Sequence, residues 1–335
     1  MKRRFKNLSK LFITALSISA LVLTGCGKKD AGTTYPSKPM TFIAPGGAGG
    51  GWDGTIRTVA KVLKDTKLVD VPMPVTNKPG GGGGVALAYL QELKGDAQTI
   101  TVYSPPLILI NLNGSSKLSY KDVTPIARLI TDYGAFVVKK GSKYKTIADV
   151  MDALKKDPKS VKIGGGSSAG SMDHIQFLMI AKAAGVKNLK EIDYLSFQEG
   201  GANAQLLGGH IDLLTTGLGD VAALLESGQL VGLAQTADER VGEGVLAEIP
   251  TCKESGIDAA FYNWRGLFGA PDMPEEALKY WEDTLAKMVE TPEWDEAVKR
   301  NGWTKSFANS ADFSAFLDKT NEEYKEIMAE IGLLK

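Results

Sequence analysis

From residue 40 onward, short apolar runs alternate with stretches in which apolar side chains recur every three or four positions. The first pattern predicts strands and the second predicts amphipathic helices. Strands are expected at 40–44, 71–76, 99–103, 125–130, 135–139, 161–163, 191–195, 211–215 and 230–235. Helices are expected at 55–64, 85–93, 147–156, 172–184, 202–207 and 221–226. In the first of these, Ile56, Val59, Ala60 and Leu63 share one face. Beyond residue 273 the pattern reads as helical to the end, at 275–289, 292–300 and 311–331. Such alternation predicts an α/β protein with mostly parallel sheets, whose ligands bind beyond the carboxyl ends of strands.

Two glycine-rich segments fall at those positions. The first runs from Ala44 through Gly46, Gly47, Ala48 and Gly49 to Trp52, Asp53 and Gly54. It follows a strand and opens a helix. Glycine lets the backbone approach a ligand closely. A helix start offers unpaired N–H groups and a positive dipole end, which together suit an anion. Trp52 reads either as a pocket wall or as packing under the loop. Asp53 reads either as a ligand contact or as a loop organiser and helix cap. Arg57, one turn further on, reads as a solvated or loop-bracing guanidinium.

The second segment runs from Gly164 to His174 and contains Ser167, Ser168, Ala169, Gly170 and Ser171. No basic side chain occurs between residues 163 and 181, so an anion held here would rest on neutral donors and the helix end. His174 reads either as a histidine bonding the loop backbone or as a donor facing the ligand. Asp173 either favours the helix dipole or pairs with a ligand ammonium group. Ser104, Gly200, Gly201 and Ala202 lie at other strand-to-helix turns. Asp220 follows the strand expected at 211–215 and reads as a helix cap or as a contact to the ligand's far end.

Composition narrows the function. Lys plus Arg and Asp plus Glu are equal at 39 each, but five of the cations lie in the first ten residues. From Cys26 onward there are 34 basic and 39 acidic residues, a surface that argues against nucleic acid. The basic start, the apolar run 11–23 and Leu23-Thr24-Gly25-Cys26 resemble a lipoprotein signal peptide covering 1–25. Cys26 would then carry the lipid, and 26–38 would be a flexible tether. Such a chain is exported and held at the outer face of the cell membrane, away from NAD and ATP, and no cofactor is expected. Gly49, Gly51 and Gly54 formally satisfy G-x-G-x-x-G, but no acid lies between 71 and 91 to hold a ribose. With two histidines and two cysteines, no metal cluster is expected. The sharpest enzyme alternative is an exported serine hydrolase. Gly166-Ser167-Ser168-Ala169-Gly170 matches G-x-S-x-G, with Asp193 and His210 as the available triad partners.

The chain resembles the Bug-type solute receptors, the substrate-binding proteins of tripartite tricarboxylate transporters, over nearly all of 36–335. The shared marks begin with Pro45-Gly46-Gly47, Asp53, Arg57 and Asn77-Lys78-Pro79-Gly80. They continue with Gly166-Ser167 leading to His174, Gly208-Gly209-His210-Ile211-Asp212 and Arg240. Ile249-Pro250-Thr251, Glu254-Ser255-Gly256 and the run from Trp264-Arg265 to Pro271 complete the set. The resemblance implies a type II periplasmic-binding-protein fold, two α/β lobes joined by a crossing-strand hinge. Lobe 1 would comprise 39–136 plus 237–335, and lobe 2 would comprise 137–236. It also implies a cleft ligand bearing a carboxylate, two membrane subunits as transport partners and no catalysis, and closure of the lobes on a ligand argues for a monomer. The sequence departs from that family at the longer glycine loop, at Gly81–Gly84 and at Asp173.

Overall fold

The computed structural model describes residues 35–197 and 201–335, so the expected signal peptide, Cys26 and Gly200 lie outside the described residues. In chain order the elements are β1 (Thr41–Ala44), α1 (Gly51–Asp65), β2 (Val75–Asn77), α2 (Gly84–Gln91), β3 (Thr99–Tyr103), α3 (Pro106–Leu112) and β4 (Thr124–Lys139). There follow α4 (Ile147–Lys156), β5 (Ile163–Gly165), α5 (Met172–Ala183), β6 (Tyr194–Ser196), α6 (Ala202–Leu207), β7 (Leu213–Gly217), α7 (Ala222–Glu226) and β8 (Leu230–Gln235). The chain ends with α8 (Val245–Glu248), β9 (Tyr262–Gly269), α9 (Glu275–Met288), α10 (Pro292–Arg300), β10 (Thr304–Ala308) and α11 (Ser310–Glu330).

The strands form two half-sheets that share β4. In one, β1 lies parallel to both β2 and β3, and β9 runs antiparallel between β3 and β4. In the other, β5 lies parallel to both β6 and β7, and β7 and β8 run antiparallel to β4. Residues Thr124–Tyr133 of β4 pair with β9, whereas Gly134–Lys139 pair with β7 and β8. One strand therefore passes from the first half-sheet into the second. The two expected strands at 125–130 and 135–139 are one element. Register shifts after Pro125, Arg128 and Phe136 let β4 bend without breaking its ladder. Parallel pairing is confined to the outer strands, because the crossing strands return in the opposite direction.

Other differences from the expected pattern have local causes. Helix α1 begins four residues early, because Gly51 is admitted to its first turn. β2 is short, since Pro72 and Pro74 have no N–H, yet their carbonyls still accept from Met40 and Phe42 at 2.9 and 3.0 Å. β10 interrupts the region expected to be all helix. It is a largely exposed edge strand, Thr-Lys-Ser-Phe-Ala, with no apolar run to announce it.

The core supports the cleft from below. Phe42, Ile56, Val59 and Leu63 pack with Trp281, Leu285 and Trp294 between the first half-sheet and α1, α9 and α10. Ala135, Val137, Leu206, Leu214 and Leu225 pack beneath α6 and α7. Burying each large side chain of this kind contributes roughly 1.5–3 kcal/mol. Tyr35 is also tied down: its hydroxyl accepts from Trp281 Nε1 at 2.7 Å and its ring meets Tyr280 edge-on.

Candidate functional site: a cleft between glycine turns

The turn from β1 into α1 is organised by Asp53. Its carboxylate accepts from the Gly49 N–H at 3.0 Å, Arg57 Nε at 2.8 Å and Asn77 Nδ2 at 2.9 Å. Asn77 also donates to the Gly46 carbonyl at 3.0 Å and accepts from Arg57 Nη2 at 3.1 Å. Burial pushes the Asp53 carboxyl up, but the hydrogen bonds from Arg57, Gly49 and Asn77 outweigh it and hold the group below the usual range. Asp53 is thus the loop's organiser and stands outside the cleft lining, and Arg57 braces the same network. Trp52 forms part of the wall. Its Nε1 donates to Ser104 Oγ at 2.9 Å and its ring meets Tyr103 edge-on at 5.7 Å.

The turn from β5 into α5 closes on itself. The Ser167 N–H donates to Asp173 Oδ2 at 2.8 Å, and the Asp173 N–H donates to Ser167 Oγ at 2.8 Å. His174 Nδ1 accepts from the Gly170 N–H at 2.9 Å while its ring stacks on Tyr194 at 4.6 Å. Burial lowers this imidazole to about 4, so it is neutral at physiological pH. The Gly170 carbonyl accepts from Asn113 Nδ2 at the end of α3, across the cleft, at 3.0 Å. The hydroxyls of Ser168 and Ser171 are buried with no hydrogen-bond partner.

These turns share one cleft of about 350 Å³. Its lining includes Gly46, Gly47, Ala48, Gly49, Trp52 and Ser104 from the first half, and Ser167, Gly201, Ala202 and Asp220 from the second. Ser168, Ala169, Gly170, Ser171, His174 and Asp53 are not among the residues that line it. Sequence reasoning missed Gly80, Gly82 and Gly83 at the start of α2, as well as Phe197, Asn203, Thr216, Asn263 and Arg265. Gly80 and Arg265 lie within the motifs that carry the family resemblance, and Gly82 and Gly83 within the Gly81–Gly84 segment where the sequence departs from it.

Arg265 alters the electrostatics expected from the loops alone. It is 3% exposed, and its guanidinium is ion-paired with the fully buried Asp132 of β4. It also donates to the Gly51 carbonyl at 2.7 Å and to Thr55 Oγ1 at 2.5 Å, and lies 3.8 Å from Asp220 Oδ1. A Cβ on Gly51 would sit 2.5 Å from this guanidinium, which explains glycine in the first turn of α1. Asp220 does not cap a helix. It accepts from Thr216 Oγ1 at 3.4 Å and faces Arg265. Burial pushes both Asp132 and Asp220 upward, against the pull of Arg265.

The hydrolase constellation does not assemble. Ser168 Oγ has no hydrogen-bond partner, His174 Nδ1 is occupied by the Gly170 amide, and Asp193 and His210 are exposed. Among the described residues no group of three His, Cys, Asp or Glu side chains could hold a metal ion, and no helix is long and apolar enough to cross a membrane.

Two half-sheets threaded by a shared strand, with a glycine-walled cleft between them, define a periplasmic-binding-protein fold. The profile of the "Tripartite tricarboxylate transporter family receptor" matches residues 56–333, and the chain belongs to that family, which is one of receptors and not of enzymes. A relative from Cupriavidus necator, the UPF0065 protein in the gbd 5′ region, is 24% identical over 96% of both chains. A solved TctC solute-binding protein from Polaromonas is 28% identical, with a TM-score of 0.61 over 89% of this chain and all of that one. MatC from Rhodopseudomonas palustris, solved with bound malate, is 18% identical with a TM-score of 0.74, over 88% of this chain and 99% of that one. A second R. palustris protein, solved with adipate, is 20% identical with a TM-score of 0.78, over 89% and 98%.

Proposed function

We propose that the cleft captures a small organic acid and delivers it to the membrane subunits of a tripartite tricarboxylate-type transporter. The observation that carries this reading is the convergence of both glycine turns on one cleft. The backbone of Gly46, Gly47 and Ala48 and the start of α1 supply donors from one half, and Ser167 and the positive end of α5 face them from the other. Ser104 adds a hydroxyl whose proton is available, since its oxygen already accepts from Trp52. Malate in MatC and adipate in the second R. palustris protein support an acid of this size. Each charge-assisted hydrogen bond contributes about 1.5–3 kcal/mol, so several bring binding to micromolar, near −8 kcal/mol.

In this reading, 39–136 plus 237–335 and 137–236 are lobes that close on the ligand about β4 and the return of the chain near 233–237. Residues 1–25 are removed on export, Cys26 carries the lipid, and a monomer works at the outer face of the membrane. Thermal unfolding across a panel of mono-, di- and tricarboxylates tests it. A ligand at about 100 times its Kd adds about 2.7 kcal/mol of stability and raises the melting temperature. No shift with any acid in the panel would overturn the reading. Metabolic labelling with palmitate, lost in Cys26→Ala, tests the anchor.

A further inference from the structure

The wall of the cleft is unbalanced in charge. Its lining side chains include one cation, Arg265, and two acids, Asp173 and Asp220. Arg265 is already committed to Asp132, to the Gly51 carbonyl and to Thr55. Asp173 therefore has no cation among the lining side chains of the described residues. It is 3% exposed and the local structure fixes half of it: Oδ2 accepts from the Ser167 N–H at 2.8 Å, the Ser167 hydroxyl and the Gly166 N–H also stabilise the carboxylate, and Oδ1 is buried with no partner. Its main chain is held too, since Thr215 Oγ1 donates to the Asp173 carbonyl at 2.9 Å. The side chain is thus rigidly placed, and one carboxyl oxygen lacks a donor. A buried acceptor in that state is costly unless a ligand completes it.

We propose that Asp173 is a specificity-determining residue, which makes the preferred ligand an organic acid that also carries a protonated amino group, an amino acid rather than a plain dicarboxylate. This rests on the carboxylate reading above and refines it. The ligand carboxylate sits on the first glycine turn, and the ammonium donates to Asp173 Oδ1 on the second, with Asp220 as the remaining acid on the wall. A plain dianion brings a second negative charge toward two acids on the wall. A zwitterion brings the missing cation. Burial raises the Asp173 carboxyl to about 7, and the charge of Asp220 adds to the shift; a neighbouring ammonium would reverse it.

The test is titration calorimetry on the purified protein at about pH 8, where Asp173 is ionised even without ligand. Amino acids are paired with their deamino counterparts: L-aspartate with succinate, L-glutamate with glutarate, L-alanine with propionate and 4-aminobutyrate with butyrate. At least one amino acid is expected to bind about tenfold or more tighter than its partner. Asp173→Asn keeps an oxygen for the Ser167 amide and should erase that preference, weakening the amino acid while relieving the repulsion of the deamino acid. If in every pair that binds the plain acid binds as tightly as its amino counterpart, the inference fails while the carboxylate reading stands. If the preference survives in Asp173→Asn, its assignment to Asp173 fails. If no acid of either kind binds, both readings fall. The wild-type comparison decides the ligand class even if the variant does not fold.

Discussion

Replacing Arg265 with methionine is the most informative single perturbation of this molecule. The guanidinium ties four segments together: its own strand β9, Asp132 of β4, the first turn of α1 through Gly51 and Thr55, and Asp220 beyond β7. Methionine fills much of the volume but leaves Asp132 fully buried, with the Tyr133 N–H at 2.8 Å among its few donors. Orphaning one member of a buried ion pair costs about 3–5 kcal/mol. Loss of the bonds to Gly51 and Thr55 falls within that figure, since they share the same side chain. The loss should be largest above neutral pH, because protonation removes the uncompensated charge. The double variant Arg265→Met, Asp132→Asn deletes both charges and should recover all but about 1–2 kcal/mol. Urea unfolding followed by tryptophan fluorescence measures each variant, and the cycle isolates the pair. If Arg265→Met costs less than about 1 kcal/mol, or if the double variant is no more stable than the single, the pair is not what holds α1 against the crossing strands.

Three further outcomes are expected. Asp53→Ala releases Gly49, Arg57 and Asn77 together, and should cost about 1–2 kcal/mol and weaken acid binding about tenfold; unchanged calorimetric affinity would show that the first turn needs no organiser. Gly82→Val places a β-branched residue at φ +63° with its Cβ 2.6 Å from Ser168 Oγ on the opposite turn, so beyond about 1–2 kcal/mol of backbone strain it should hold the two turns apart and abolish ligand-induced thermal stabilisation. The Asp173 carboxyl, raised to about 7 by burial, binds its proton more tightly in the folded chain than in the unfolded one. Its contribution to stability should therefore fall as pH rises from about 4 to about 7 and level off above, while the lowered His174 contributes a slope of opposite sign below about 6.5. Asp173→Asn should shallow that slope and be more stable at about pH 8, by as much as about 4 kcal/mol. Asp132 leaves a residual slope of the same sign, and urea midpoints that track wild type at every pH would contradict the assignment.

Much of this architecture was legible because local pattern and tertiary environment agree. β3, α5, α6 and β8 lie where periodicity puts them, and both glycine turns sit at strand-to-helix junctions. What periodicity could not show is contact between distant segments. Arg265 reads as one charge in an apolar run, and its meaning comes from Asp132 and Gly51, more than 130 and 210 positions away. Asp53 could not be separated from a ligand contact until Asn77, brought in by β2, closed its network. Ser168, Ser171 and His174 carry the polar chemistry expected of a ligand wall, yet their polar atoms are buried and they do not line the cleft, because direction within a turn depends on backbone geometry that composition does not encode. β9 and β10 complete the crossing region, and their pairing with β4 exists only in the folded chain.

The claim on which the rest depends is that an acid is held in the cleft between the two glycine turns, with its carboxylate on main-chain amides of the first. A crystal structure of the protein with the tightest-binding acid of the panel addresses it directly. The account predicts a carboxylate within hydrogen-bonding distance of the backbone at Gly46, Gly47 or Ala48, with the ligand's other end against Ser167 and Asp173. A ligand seated outside the cleft, or inside it with no contact to either turn, would contradict the account.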